Sequence, residues 1–199
     1  MNSKRKCGGC GEYFRPDRTF PGPVAWCGED CALIVSRKRL PAVKAKQART
    51  ERAQTKEARE RIKTLSQHVS EAQSWVNRVV VAEDKAKGCI SCNTGRVSDA
   101  GHYFHRGSKY RCSPITLDRR NLVGQCNHCN TYQGGRQQDY QIGYIARYGQ
   151  AQFDALCEYK MAVDRGEVPP LTADECKAAI ATAKARLKEI KDAMQYNVS

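Results

Sequence analysis

Two short cysteine pairs constrain this chain more than any other feature. Cys89-Ile90-Ser91-Cys92 and Cys126-Asn127-His128-Cys129 are CxxC turns lying far apart in the sequence. Four thiolates grouped in this way can close a tetrahedral zinc site. A zinc ion held by both pairs pins two distant segments together, so any fold must bring those turns into contact. Asp99-Ala100-Gly101-His102 lies between the pairs, and Asn130 follows the second directly. A histidine can take a proton from water, and carboxylate or amide oxygens can hold a hard cation.

A second quartet opens the chain. Cys7-Gly8-Gly9-Cys10 is followed, after sixteen residues, by Cys27-Gly28-Glu29-Asp30-Cys31. Tyr13, Phe14, Phe20 and Trp26 lie between, among glycines and prolines. That segment is too short for an apolar core, but one zinc ion with a few aromatic rings would order it. The N-terminus is polar and basic with no signal-peptide pattern, and no apolar run is long enough to span a membrane. A reducing, cytoplasmic compartment is therefore expected, where paired CxxC turns read as zinc ligands and not as disulfides. Cys157 and Cys176 read as small buried hydrophobes on helices, and Cys112 as a spare thiol outside both quartets. With an aromatic fraction of 8% and a mean hydropathy of -0.69, no large apolar core is expected. A small zinc-stabilised α+β fold with long helices fits better.

The formal net charge of +13 points to a polyanionic partner. It is concentrated from Ser36 to Thr64, where eleven Lys/Arg face three Glu. Good helix formers dominate that stretch, and Pro41 is expected to break it or to sit in a first turn. Ile62, Leu65, Val69, Ala72, Trp75, Val76 and Val79 then recur at three- and four-residue steps, which predicts an amphipathic, packed helix. Four parts follow from this reading: an N-terminal zinc finger over 1–33, a basic helical arm over 34–84, a zinc-bracketed core over 85–140, and C-terminal helices over 141–199. In the last part, Ile142, Ile145, Ala146, Phe153 and Leu156 suggest a helical stretch interrupted near Gly149. Thr172-Ala173-Asp174-Glu175 is a capping box. It opens a helix whose face of Cys176, Ile180, Ala183, Leu187, Ile190 and Met194 forms a heptad seam, able to pack inside the chain or between two copies.

Cutting a phosphodiester requires a base for water and positive charge around the phosphorus. His102 is the candidate base, provided it stays off the zinc. Asp99 and Asn130 are candidate oxygen ligands for a catalytic Mg²⁺, with Mn²⁺ equally suited. Asn121 is placed to hold the loop carrying the base through hydrogen bonds to backbone. Arg119 and Arg120 are candidate phosphate clamps. Lys109, Arg111, Arg136, His105 and His128 are candidate DNA contacts, and Asp118 and Asp139 are reserve acids. The same charge and cysteines also suit a non-catalytic zinc protein that binds nucleic acid.

Asp99-Ala100-Gly101-His102-Tyr103, Arg120-Asn121-Leu122 and Gln125-Cys126 through Cys129-Asn130 resemble the HNH, or ββα-metal, nuclease pattern. The chain most closely resembles the phage NinG (Rap) family of recombination endonucleases, and its core is similar to phage endonuclease VII. The likeness runs over nearly the whole chain. It includes the Ile145-Ala146-Arg147-Tyr148-Gly149-Gln150 segment and Glu175-Cys176-Lys177-Ala178. It implies a phage-encoded, Mg²⁺-dependent endonuclease that cuts Holliday junctions and D-loops and leaves 5′-phosphate and 3′-hydroxyl ends. His102 would be the general base, Asn130 a Mg²⁺ ligand, and the zinc ions would be structural. Two symmetric cuts imply a homodimer. One departure stands out: many HNH enzymes place an Asp directly before the base histidine, where this chain has Gly101. Asp99 shares a strand face with that position.

Overall fold

The computed structural model describes residues 4–15, 25–94, 96–105 and 112–196. Phe20, Lys109 and Arg111 lie outside the described residues. The chain divides into two compact units, Met1–Ile62 and Lys63–Ser199.

In the first unit, β1 (Arg5–Lys6) pairs antiparallel with β2 (Tyr13–Phe14). The turn between them carries Cys7 and Cys10 and is closed by Cys7 N–H donating to Glu12 O at 2.8 Å. Helix α1 runs from Glu29 to Ile62, so Cys31 sits in its first turn and finger and arm share one helix. Glu29 and Asp30 suit the positive end of that helix. Pro41 lies inside α1 and neither breaks it nor begins it. The freed carbonyl one turn back lies on a solvated helix, where water can bond to it. Val35 is the buried residue of α1, and Ile62, expected to pack, is 79% exposed. Ala, Lys, Arg and Glu sustain this helix through propensity and pairs such as Arg61–Glu57 at 2.6 Å, without an apolar face.

The second unit begins with α2 (Leu65–Asp84), opened by a reciprocal cap in which Thr64 N–H donates to Gln67 Oε1 at 2.8 Å. Helix α5 (Ala173–Tyr196) packs against α2. Its cap matches the sequence reading: Thr172 N–H donates to Glu175 Oε2 at 2.7 Å, and Glu175 N–H to Thr172 Oγ1 at 3.2 Å. Val69, Ala72 and Cys176 are fully buried in this seam, with Leu65 and Ile180 against them. The start of the heptad face is thus used inside the chain. Burial of each large aliphatic there stabilises the pair by about 2 kcal/mol.

Strand β3 (Asp99–His102) pairs antiparallel with β4 (Leu122–Gln125), with Asp99 opposite Gln125 and His102 opposite Leu122. Ala100 and Leu122 face Val80 of α2. On the other side Val123 joins Ile90, Ile115, Tyr140, Tyr144, Phe153 and Leu156 in the main core. Those rings come from α3 (Gln137–Tyr148) and α4 (Gln150–Asp164). The two helices part at Gly149, whose φ of 90° suits glycine. Ile142 does not pack: it is 68% exposed, and Tyr140 and Tyr144 fill the core instead. Among the described residues, no helix is long and apolar enough to cross a membrane.

Candidate active site and metal centres

Each cysteine quartet converges in space. Within each, the four sulfurs lie within 4.8 Å of one another. Cys10 and Cys27 Sγ are 3.6 Å apart, Cys27 and Cys31 3.7 Å, and Cys92 and Cys126 3.9 Å. A tetrahedron of sulfurs about 2.3 Å from zinc has edges of about 3.8 Å, so both sets fit a four-coordinate zinc ion. His102 is in neither set. The thiols do not behave alike: hydrogen bonding to Cys10 pushes Cys27 up to about 12 and burial pushes Cys129 up to about 12, whereas hydrogen bonding to the backbone lowers Cys7 to about 6. A bound cation would draw protons from the raised thiols, because zinc takes thiolates.

Backbone and amide bonds build the core quartet into the sheet. Ile90 N–H donates to Gly124 O at 3.0 Å. Gln125, fully buried, donates through Nε2 to Ser91 Oγ at 2.6 Å and to Gly135 O at 2.8 Å, which clamps the first CxxC turn to the loop beyond the second. The same side chain accounts for the missing aspartate. A Cβ on Gly101 would come within 2.0 Å of Gln125 Oε1, so the space an aspartate would use is filled by a clamped amide. Gly101→Ala is therefore expected to lower the unfolding free energy by about 2 kcal/mol in urea titration. An unchanged midpoint would show that Gln125 can move aside.

Asn121 does what its position suggested. It is fully buried; its Oδ1 accepts from Phe104 N–H at 2.7 Å, and its Nδ2 donates to Phe104 O at 3.0 Å and Ile115 O at 3.1 Å. It thereby fixes the chain just after His102. The ring of His102 meets Gln73 of α2, with the two Nε2 atoms 2.6 Å apart, and lies 6.5 Å from the ring of His105.

Asp99 and Asn130 line one open groove of about 650 Å³. Its walls come from α2, α5 and the start of β3, and Asn77, Arg78, Lys85 and Lys191 add polar and basic groups. His102 does not line it. Strand alternation puts His102 on the Ala100 face, toward α2, and Gln73 is one helical turn from Asn77. The structure thus sets Asp99 and Asn130 on the walls of one groove, with His102 held at the adjacent turn of α2. Carboxylate plus amide oxygen is a donor set suited to Mg²⁺ or Mn²⁺, with phosphate and water completing the shell.

The candidate clamps are engaged within the chain. Arg119 Nη2 lies 3.4 Å from Glu83 and 3.3 Å from Asp84, and its Nη1 donates to Leu122 O. Arg120 is held by Asp118 at 2.6 Å and lies over the Tyr159 ring at 4.6 Å. Arg136 pairs with Asp139 at 2.7 Å, so both reserve acids serve as ion-pair partners. His105 and His128 are exposed. Sequence reasoning missed Arg78 and Lys85, which α2 carries to the groove by packing on the sheet, and Lys191, which α5 brings there by folding back along α2.

Asp84 anchors α2 to this sheet by accepting from Gly124 N–H at 2.8 Å. Burial pushes its carboxyl up, but Lys87 at 2.8 Å, the Gly124 amide and Arg119 outweigh burial and hold it below the ordinary value. A depressed folded-state pKa adds stability above the unfolded value of about 3.9, and that stability is lost as pH falls through the folded value. Asp84→Ala is expected to cost about 3 kcal/mol at pH 7 by urea titration, with the difference shrinking in acid. A cost independent of pH would contradict the ion-pair account.

The family model described as "Bacteriophage Lambda NinG protein" matches residues 1–193. The protein ninG of Escherichia phage lambda is 29% identical over 205 residues, covering 96% of this chain and 95% of the relative. That of Salmonella phage P22 is 29% identical over 207 residues, covering 96% of each. That of Escherichia phage 933W is 28% identical over 202 residues, covering 96% and 95%. No solved structure is a significant match.

Proposed function

This chain belongs to the NinG family of bacteriophage proteins, and from that premise we propose that it is an HNH-type, Rap-like endonuclease that cuts branched DNA such as Holliday junctions and D-loops. The observation that carries the reading is one arrangement: Asp99 and Asn130 line a single groove, and Asn121 fixes the chain beside His102. Two antiparallel strands followed by a helical turn at His128–Tyr132 support a ββα-metal core.

In this reading His102 takes a proton from a water molecule as its oxygen attacks the phosphorus in line. The P–O3′ bond breaks, the 3′ oxygen leaves and is protonated from solvent, and the other product carries the 5′-phosphate. Asp99 and Asn130 would hold a Mg²⁺ ion, which supplies charge stabilisation at the phosphate. Arg78, Lys85 and Lys191 set a positive field around the groove, and the basic face of α1 adds non-specific attraction to DNA. Zinc ions held by Cys7, Cys10, Cys27 and Cys31 and by Cys89, Cys92, Cys126 and Cys129 would be structural, since four thiolates would leave no open coordination position. A homodimer supplies the two cuts that resolving a junction needs.

The test is incubation of matched duplex, Y-shaped and four-way DNA with Mg²⁺, Mn²⁺ or EDTA. Metal-dependent nicking confined to the branched substrates is expected. Salt-sensitive binding without cutting in either metal would establish the non-catalytic zinc protein instead.

A further inference from the structure

We propose that the exposed face of helices α2 and α5 is a track for one DNA strand, built from Arg78, Lys85, Lys184 and Lys191, which leads that strand into the groove of Asp99 and Asn130; it takes from the nuclease reading above only that this strand is the scissile one. The two helices run side by side in the same direction. Cys176 packs with Val69 near their starts, Lys184 lies over the Trp75 ring, Arg186 pairs with Glu83, and Lys191 and Lys85 line one groove near their ends. Lys85 caps α2 with helical backbone angles, so it continues the stripe that Arg78 begins.

Each helix thus carries two cations seven residues apart, Arg78 and Lys85 on one, Lys184 and Lys191 on the other. Seven residues are nearly two turns, so each pair shares a face and is spaced by about 10.5 Å along the axis. All four side chains are exposed. At one end of the track a single indole gathers a cation from each helix: Arg78 Cζ is 4.6 Å and Lys184 Nζ 4.8 Å from the Trp75 ring centroid. At the other end Lys85 and Lys191 stand on the groove, which Arg78 also lines. Among the described residues none of the four is ion-paired, whereas Arg119, Arg120, Arg136 and Arg186 are each held by a carboxylate. Like charges gathered without a counter-charge repel one another, and a polyanion relieves that repulsion while shedding its own condensed counterions. The spacing fits a nucleic-acid strand. Phosphates of one strand advance by about 3.4 Å per nucleotide along a duplex, so a step of ~10.5 Å matches three nucleotides. Packed helices lie about 8–10 Å apart, which sets the two rows on either side of one backbone.

The test is binding of an intact four-way junction, followed by fluorescence anisotropy in EDTA over a range of salt. Arg78→Gln, Lys85→Gln, Lys184→Gln and Lys191→Gln are each expected to lower the slope of log affinity against log salt by about 0.9 and to weaken binding roughly eightfold at ~0.1 M salt, and the fourfold variant to lose about 3.6 of the slope. Arg165→Gln, which removes a charge paired with Glu167 at the end of α4, is expected to bind within about twofold of the unaltered protein, because a charge off the path is screened. Far-ultraviolet dichroism checks that these exposed substitutions leave the helices intact. Ethylation interference then locates the path: the phosphate whose ethylation ceases to matter in Lys184→Gln and the one that ceases to matter in Lys191→Gln should lie about three nucleotides apart on one strand. A folded fourfold variant that keeps the full slope, an Arg165→Gln loss as large as those on the track, or two such phosphates on different strands overturns the proposal. Its failure is distinct from failure of the nuclease reading: that reading falls if the unaltered protein cuts no branched substrate in Mg²⁺ or Mn²⁺, which leaves the EDTA series standing, whereas a cutting protein whose fourfold variant binds unchanged removes only the track.

Discussion

His102→Ala is expected to bind a four-way junction as tightly as the unaltered protein and to cut it about a thousandfold more slowly. Removing a general base typically costs ~10²–10⁴ in rate. Binding should survive, because it comes from charges that this substitution leaves alone: the groove retains Arg78, Lys85 and Lys191, and α1 keeps its basic face. The fold should survive as well. The ring is partly exposed and outside both sulfur quartets, and it is not part of the main apolar core. A gel-shift titration beside a single-turnover cleavage assay separates the two effects. Equal loss of binding and cutting would mean that position 102 supports structure or DNA affinity. An unchanged rate would mean that another group activates the water.

Loss of the core zinc is expected to be more damaging still. Two zinc ions per chain should be released by denaturing the protein in the presence of a chromogenic chelator, and Cys129→Ser should reduce that count to one. Apparent zinc-binding free energies in small finger peptides are about 10–16 kcal/mol, comparable with or larger than the ~5–15 kcal/mol stability of a whole domain. In this chain the quartet joins a turn before β3 to a turn after β4, and Gln125 ties the first of those turns, through Ser91, to the loop beyond the second, through Gly135. Without the metal, four buried or half-buried thiols face one another. The Cys129→Ser protein is therefore expected to lose all cutting and to lose near-ultraviolet dichroism from the tyrosine-rich core, while the helical signal of α1 persists. Because burial makes Cys89 and Cys129 resist ionisation, zinc loading should release protons, and zinc affinity should rise with pH. Full activity after verified removal of the core zinc would refute this part of the account.

What the sequence made legible was local or metal-driven. Cysteine spacing announced both quartets because the ligand geometry of zinc leaves few alternatives. Thr172 and Glu175 announced the start of α5, and Gly149 the break between α3 and α4, because caps and breaks act within a few residues. The hydrogen bonds of Asn121 to backbone were readable from its side-chain chemistry and its place at the start of β4. Other features depend on which surfaces meet. Arg119 reads as a phosphate clamp because nothing local shows that Glu83 and Asp84 will pair with it, and Arg120 because Asp118, two residues earlier, reads as a reserve acid and not as its partner. Gly101 read as a lost ligand, whereas its neighbour across the sheet, Gln125, fills the space and makes glycine a steric requirement. Pro41 read as a break because propensity argues against proline inside a helix, yet α1 passes through it where solvent can satisfy the freed carbonyl. The approach of α5 to α2, which sets Lys191 on the groove that Asp99 also lines, has no local signature beyond a heptad face that could equally have met a second copy.

The central claim is that His102 and Asn130 act on the same phosphate from a sulfur-locked core. A double-mutant cycle tests it most directly: single-turnover cleavage of one four-way junction by His102→Ala, by Asn130→Ala and by the protein carrying both. Groups that act as one unit are strongly non-additive. The account predicts that each single change slows cutting by roughly a hundredfold or more and that the double variant is little slower than the slower single one. Multiplying losses, or a single variant that cuts at the unaltered rate, would contradict it.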